Sequence, residues 1–158
     1  TVQVESTQDL YDAMMERFAE QDIIIQAAAP ADFTPDTVSE EKIKKGGRDR
    51  LQLSLKSTPD VAAAIGQQKK PGQILVGFAA ETENLIENAR KKLASKNLDM
   101  IVLNDVTKPG AGFGVDTNIV TFVTPTTLEA LPKMSKAEVA DKLLTKALRL
   151  MEPDRRKA

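Results

Sequence analysis

The sequence predicts an α/β fold of three layers, with a mainly parallel central sheet and an added antiparallel hairpin. Three observations predict it. The apolar run Ile74-Leu-Val-Gly77 ends in a glycine turn, an amphipathic stretch follows, and Leu98-Asp-Met-Ile-Val-Leu103 is closed by Asn104 and Asp105. A strand–helix–strand unit with such short joints is the building block of a parallel sheet. Asp22-Ile-Ile-Ile-Gln-Ala-Ala28 is a continuous apolar run, the pattern of a strand buried on both faces. Asn118 to Val123 and Thr127 to Leu131 flank Pro125 as a hairpin. Ligands of parallel sheets bind beyond the carboxyl ends of the strands. Gly77 to Thr82 and Asn104-Asp105 are therefore expected to meet at one edge.

Taken in order, Thr1-Val-Gln-Val4 alternates and reads as a short strand. Ser6 caps a helix with Asp9 as the distant capping partner, and Leu10, Ala13, Met14 and Phe18 form its buried stripe. Pro30 stops the next strand's ladder and leaves Asp32 just past its end. From Thr34 to Arg50 the periodicity is lost and charge accumulates in Glu40-Glu-Lys-Ile-Lys-Lys-Gly-Gly-Arg48. Such a run is a solvated loop, or, given its twin glycines, a mobile basic loop able to close over a phosphate chain. Leu51 to Lys56 alternates as a half-exposed antiparallel strand. Thr58-Pro59-Asp60 reads as N-cap, first-position proline and acidic second residue of a short helix through Val61, Ala64 and Ile65. The amino end of that helix is a latent anion site.

The helix of the central unit carries the sharpest clue. At about 100° per residue, Leu85, Ile86, Ala89 and Leu93 form one apolar arc, and Lys92 and Lys96 fall within about 20° of Leu85 at its border. Either both lysines snorkel past the sheet, or they face something anionic over its edge. Gly110-Ala-Gly-Phe-Gly114 matches a dinucleotide fingerprint in letters only, because it leads into a strand rather than a helix. Ser135-Lys-Ala-Glu138 is a capping box opening a last helix with Val139, Leu143, Leu144, Ala147 and Leu150 on its core face. One domain over residues 1–152 and a charged tail over 153–158 result.

Composition narrows the chemistry. The 158 residues carry a net charge of −1, with no cysteine and no histidine. A near-neutral chain is a poor partner for nucleic acid. Thiol nucleophiles, zinc–thiolate sites and Ser-His-Asp catalysis are excluded, leaving carboxylates, lysines, arginines and hard cations. No run approaches the roughly 20 apolar residues of a membrane helix, and no signal peptide is visible, so a cytoplasmic protein is expected. Carboxylates, several lysines and a helix amino end at one sheet edge suit a polyphosphate with magnesium, where a protein mainly positions groups and neutralises charge.

Ala28-Ala-Pro-Ala-Asp-Phe33, Lys42-Ile-Lys-Lys45, Thr58-Pro-Asp60, Gly77-Phe-Ala-Ala-Glu-Thr82, the Ala89 to Asp99 lysine pattern and Asn104-Asp105 occur in this order. That set resembles the phosphopantothenoylcysteine synthetase of bacterial coenzyme A synthesis, over nearly the whole chain. The resemblance implies a Rossmann-like fold and a CTP- and magnesium-dependent ligase that joins 4′-phosphopantothenate to L-cysteine through an acyl-cytidylate. It implies CTP contacts from Ala28, Asp32, Lys42, Pro59, Asp60, Val61, Ala62, Phe78, Lys92 and Lys96, with Lys42 and Lys92 as catalytic residues. It implies a homodimer; no metal-ligating residue is singled out, and charge and hydropathy lead to the expectation of no nucleic-acid or membrane partner. The family's glycine-rich amino-terminal segment is expected to be missing here, and FMN would belong only to a fused decarboxylase domain outside this chain. Two other readings compete: a dinucleotide-binding Rossmann domain, for which Gly77 to Thr82 supplies too few glycines, and a non-catalytic nucleotide-binding or interaction module.

Overall fold

The computed structural model describes residues 1–47, 49–81, 84–107, 110–111 and 114–152. Helix α1 (Thr7–Arg17) opens at the Ser6 capping box, where Ser6 Oγ accepts from the Asp9 amide and the Asp9 carboxylate accepts from the Ser6 amide. Strand β1 (Ile23–Gln26) follows, then β2 (Phe33–Pro35), β3 (Leu55–Ser57) and α2 (Val61–Gln68). The central unit is β4 (Ile74–Glu81), α3 (Leu85–Ser95) and β5 (Met100–Asp105). Short strands β6 (Thr117–Asn118), β7 (Val120–Val123), β8 (Leu128–Ala130) and β9 (Met134–Ser135) precede α4 (Lys136–Met151), which opens at the Ser135–Glu138 capping box.

The main sheet has the order β1-β4-β5-β7-β8. Its first three strands are parallel, and β7 and β8 add an antiparallel hairpin at one side. Strand parity divides the core. Leu75, Ala79, Ile101 and Leu103 face α2 and α3, whereas Ile74, Val76, Met100 and Val102 face α4. Helices on both faces of one sheet make the three-layer α/β fold that the sequence predicts. No helix of the described residues is long and apolar enough to cross a membrane.

Two polar groups, half-buried Asp99 and buried Gln73, tie the layers. Asp99 Oδ2 accepts from the Lys69 ammonium at 2.5 Å and from the Leu75 amide at 2.7 Å, fixing the start of β5 to β4 and to the end of α2. Buried Gln73 donates to the carbonyls of Phe18 and Gln21 and accepts from the Lys70 amide, so each end of its amide is used. At Gly66 of α2, an added Cβ would lie 1.9 Å from the Lys96 carbonyl oxygen. Only glycine permits that approach, and Asn97, in the left-handed region at φ 50°, seals it by donating to the Gly66 carbonyl at 2.7 Å.

Several expectations need correction. Thr1 to Val4 is not a strand, because no strand among the described residues offers it a ladder, and Val2 and Val4 are exposed. The strand expected over 22–28 is four residues long and half-buried, being at the sheet's edge. Gly77 makes no turn: β4 runs through it, and a Cβ there would meet Leu98 Cδ1 at 3.0 Å, so the glycine makes room for Leu98. Of the strand expected over 51–56, only Leu55–Ser57 with β2 forms, in a separate two-stranded ribbon. The N-cap of α2 is Asp60, two residues later than expected, with Oδ1 accepting from the Ala63 amide at 3.0 Å. On α3, Ile86 is exposed, as are Leu144 and Leu150 on α4. Thr82, Gly112 and Phe113 of the expected loops, and the tail from Pro153, lie outside the described residues.

Two stability outcomes follow. Gly66→Ala should destabilise the fold by roughly 1–3 kcal/mol in denaturant unfolding, since two backbones must part to admit one methyl group. Acid should do so too. Hydrogen bonds from Ser6 and Ser135 hold the Asp9 and Glu138 carboxyls below their ordinary values of 3.8 and 4.5. A lowered folded-state value stabilises above the ordinary value and is lost as pH falls through the folded one. Unfolding followed across pH 7 to 2 should therefore show stability flat above about pH 5 and declining below about 4.

Candidate functional site

The segment after β1, the start of α2 and the end of α3 enclose a polar cleft of about 100 Å³. Asp32, Pro59, Asp60, Val61 and Lys96 line it, from three separate parts of the sequence, with Gln26 at the end of β1. Local hydrogen bonds hold the walls together. Thr58 donates its hydroxyl to the Ala31 carbonyl at 2.6 Å and its amide to the Asp32 carbonyl at 2.9 Å, latching the post-β1 segment onto the approach to α2.

Lys96 reaches the cleft by an indirect route. Its backbone is the C-cap of α3, packed against Gly66 in the second half of α2. Its side chain runs back toward the start of α2, where the ammonium lies 2.9 Å from Asp60 Oδ2. Asp60 therefore uses one oxygen on its own helix and the other on Lys96. Partial burial alone would raise the Asp60 carboxyl; the Lys96 hydrogen bond, the Ala63 amide and the ammonium charge outweigh it and hold the carboxyl below its usual range.

The remaining expected contacts are distributed differently. Ala62 is buried in the first turn of α2, beside the cleft wall. Lys92 is half-buried, one turn before Lys96 on α3. Ala28 is exposed and lines a shallow hollow with Ser6 and Leu10 instead. Lys42 is exposed in the long segment between β2 and β3, whose neighbours Lys44, Lys45 and Arg50 line a hollow of their own.

Phe78 is on the other side of the sheet. It shares the parity of Ile74 and Val76, and with Leu143 and Leu144 of α4 it lines an apolar hollow of about 400 Å³. Asn104 and Asp105 are the last residues of β5 rather than a loop beyond it. Asn104 Oδ1 is buried without a partner among the described residues, and Asp105 accepts from the amide and hydroxyl of Thr107.

Pro30, Ala31 and Thr58 line the cleft beside the expected contacts, and so does Gln26, which the sequence reading did not single out. It stands inside an apolar run, which reads as a strand buried on both faces. Parity would have separated it: with Ile24 it faces α2, where its amide is the one polar group the strand sends to that side.

Comparison with known proteins adds the family. Residues 1–151 match the family described as the DNA/pantothenate metabolism flavoprotein C-terminal domain. The chain is 46% identical over 151 residues to a cysteine/cysteine sulfinic acid decarboxylase of an unknown prokaryotic organism. It is 50% identical over 146 residues to the coenzyme A biosynthesis bifunctional protein CoaBC of Bacillus subtilis. These alignments take in 95% and 90% of this chain but 42% and 35% of the relatives, so the chain spans well under half the length of either. The crystal structure of the C-terminal domain of a CoaBC superposes with a TM-score of 0.77 at 39% identity, covering 98% of this chain and 69% of that one. The likeness in sequence and fold thus runs from end to end of the described residues, and the chain belongs to the DNA/pantothenate metabolism flavoprotein C-terminal domain family.

Proposed function

We propose that this chain is a phosphopantothenate–cysteine ligase domain acting in coenzyme A biosynthesis. In that reaction a carboxylate oxygen of 4′-phosphopantothenate attacks the α-phosphorus of CTP. The bond to pyrophosphate breaks and an acyl-cytidylate remains. The amine of L-cysteine then attacks the acyl carbon, losing a proton, and CMP leaves with the electrons of the acyl–oxygen bond. Protein groups in such a reaction position the partners and neutralise phosphate charge.

The observation that carries this reading is the shared cleft: five of the ten residues expected to contact CTP line one space. Lys96 supplies a cation there, Asp60 fixes it, and Lys92 follows the same helix face one turn away. Lys42, in the long basic segment, would approach from outside as that segment folds over a bound nucleotide. Magnesium would be carried in on the triphosphate, offsetting phosphate charge that the lysines leave uncovered. The reading places the protein in the cytoplasm as a homodimer.

Thermal unfolding of the chain with CTP plus magnesium, against ATP plus magnesium and buffer, tests the assignment. At a hundredfold excess over the dissociation constant, binding to the folded state adds about 2.7 kcal/mol, a rise of roughly 5–10 °C in Tm for a protein of this size. A rise with CTP and not ATP is the expected result; no rise with CTP would sink the proposal. Lys96→Met should weaken CTP roughly 10–100-fold in titration calorimetry by removing a charge-assisted hydrogen bond. It should cost stability no more than about 1 kcal/mol, because the pair with Asp60 is partly exposed. A variant that binds CTP normally would remove Lys96 from the site.

A further inference from the structure

The two interior-facing glutamines at the sheet's ends behave differently. Gln73 engages its amide at both ends, with the Lys70 amide and the carbonyls of Phe18 and Gln21. Gln26 has no side-chain hydrogen bond to any described residue, and its Oε1 is buried. A buried amide oxygen without a donor costs stability, because water has been removed and nothing has replaced it. Gln26 is also a wall of the cleft, so the missing donor has a place from which to come.

The rest of the cleft points to the same kind of ligand group. Its charged groups are the carboxylates of Asp32 and Asp60 and the single ammonium of Lys96, which already donates to Asp60. This wall is rich in acceptors and poor in free positive charge. It suits the part of a ligand that carries hydroxyl or amino hydrogens better than a phosphate chain.

We infer that Gln26 is a specificity-determining residue of the cleft, its carboxamide accepting a hydrogen bond from an N–H or O–H group of the bound nucleoside. The inference rests on the nucleotide reading proposed above and refines it: the nucleoside lies against Gln26, and the triphosphate extends outward past Lys96. The donor is the amino group of the base or a hydroxyl of the sugar, and the choice of ligand separates the two.

The test combines Gln26→Met, which keeps the unbranched shape and removes the amide, with titrations of CTP, UTP and 2′-deoxy-CTP. CTP binding should weaken about tenfold in the variant, the loss of one hydrogen bond. Tm without ligand should stay level or rise, since an unpartnered buried polar group has gone. If the tenfold penalty vanishes against UTP, the partner is the base amino group. If it vanishes against 2′-deoxy-CTP, the partner is the 2′-hydroxyl, and a penalty common to all three identifies the 3′-hydroxyl. Unchanged CTP binding in the variant overturns the inference, as does a Tm lowered by several degrees, which would make the amide structural. Wild-type protein that fails to bind CTP overturns the nucleotide reading itself and this inference with it.

Discussion

The close crossing of α2 and α3 at Gly66 is the constraint on which the cleft depends. The carbonyl of Lys96 occupies the volume where any other residue would place its Cβ, 1.9 Å from that point. Asn97 can follow in the left-handed region and donate to the Gly66 carbonyl because asparagine tolerates that backbone. With the two backbones in contact, the Lys96 stem has the right origin and direction to run back along α2 and meet its N-cap. One residue, Lys96, thus serves both contacts, its carbonyl against Gly66 and its ammonium against Asp60.

Asp60 joins local and tertiary structure in one carboxylate. Its Oδ1 closes the first turn of α2 and its Oδ2 takes the Lys96 ammonium. The two jobs support each other: the cap fixes the rotamer, and a fixed rotamer presents the second oxygen to α3. Because the local positive charge is largely offset, the electrostatics of the cleft are set by a pair rather than by an exposed cation. Such an arrangement tolerates a ligand bearing both donors and negative charge, which a bare lysine at a helix amino end would not discriminate.

The sheet separates what the sequence had grouped. Residues near one another along β4 alternate between the α2–α3 face and the α4 face, so Phe78 belongs to an apolar hollow against α4 although Gly77 beside it faces Leu98. At the opposite extreme, Gln26, Asp32, Asp60 and Lys96 are spread over seventy residues of sequence, roughly half the chain, and line a single cleft.

The sequence by itself determined the layers, the capped helices and the hairpin. Those features depend on periodicity and on capping boxes within four residues, such as Ser6 with Asp9 and Ser135 with Glu138, where cause and effect are local. It also marked Lys96 as unusual for its position on the helical wheel. Only the tertiary structure decided where that lysine's charge goes, that Asp60 rather than Thr58 caps α2, and that Gly77 is a packing glycine rather than a turn. It alone left the Gln26 side-chain oxygen on the cleft wall without a hydrogen-bond partner among the described residues. The reason is the same in each case: these outcomes are set by which backbone approaches from elsewhere in the chain, and a steric fit between distant segments leaves no period or motif in either one.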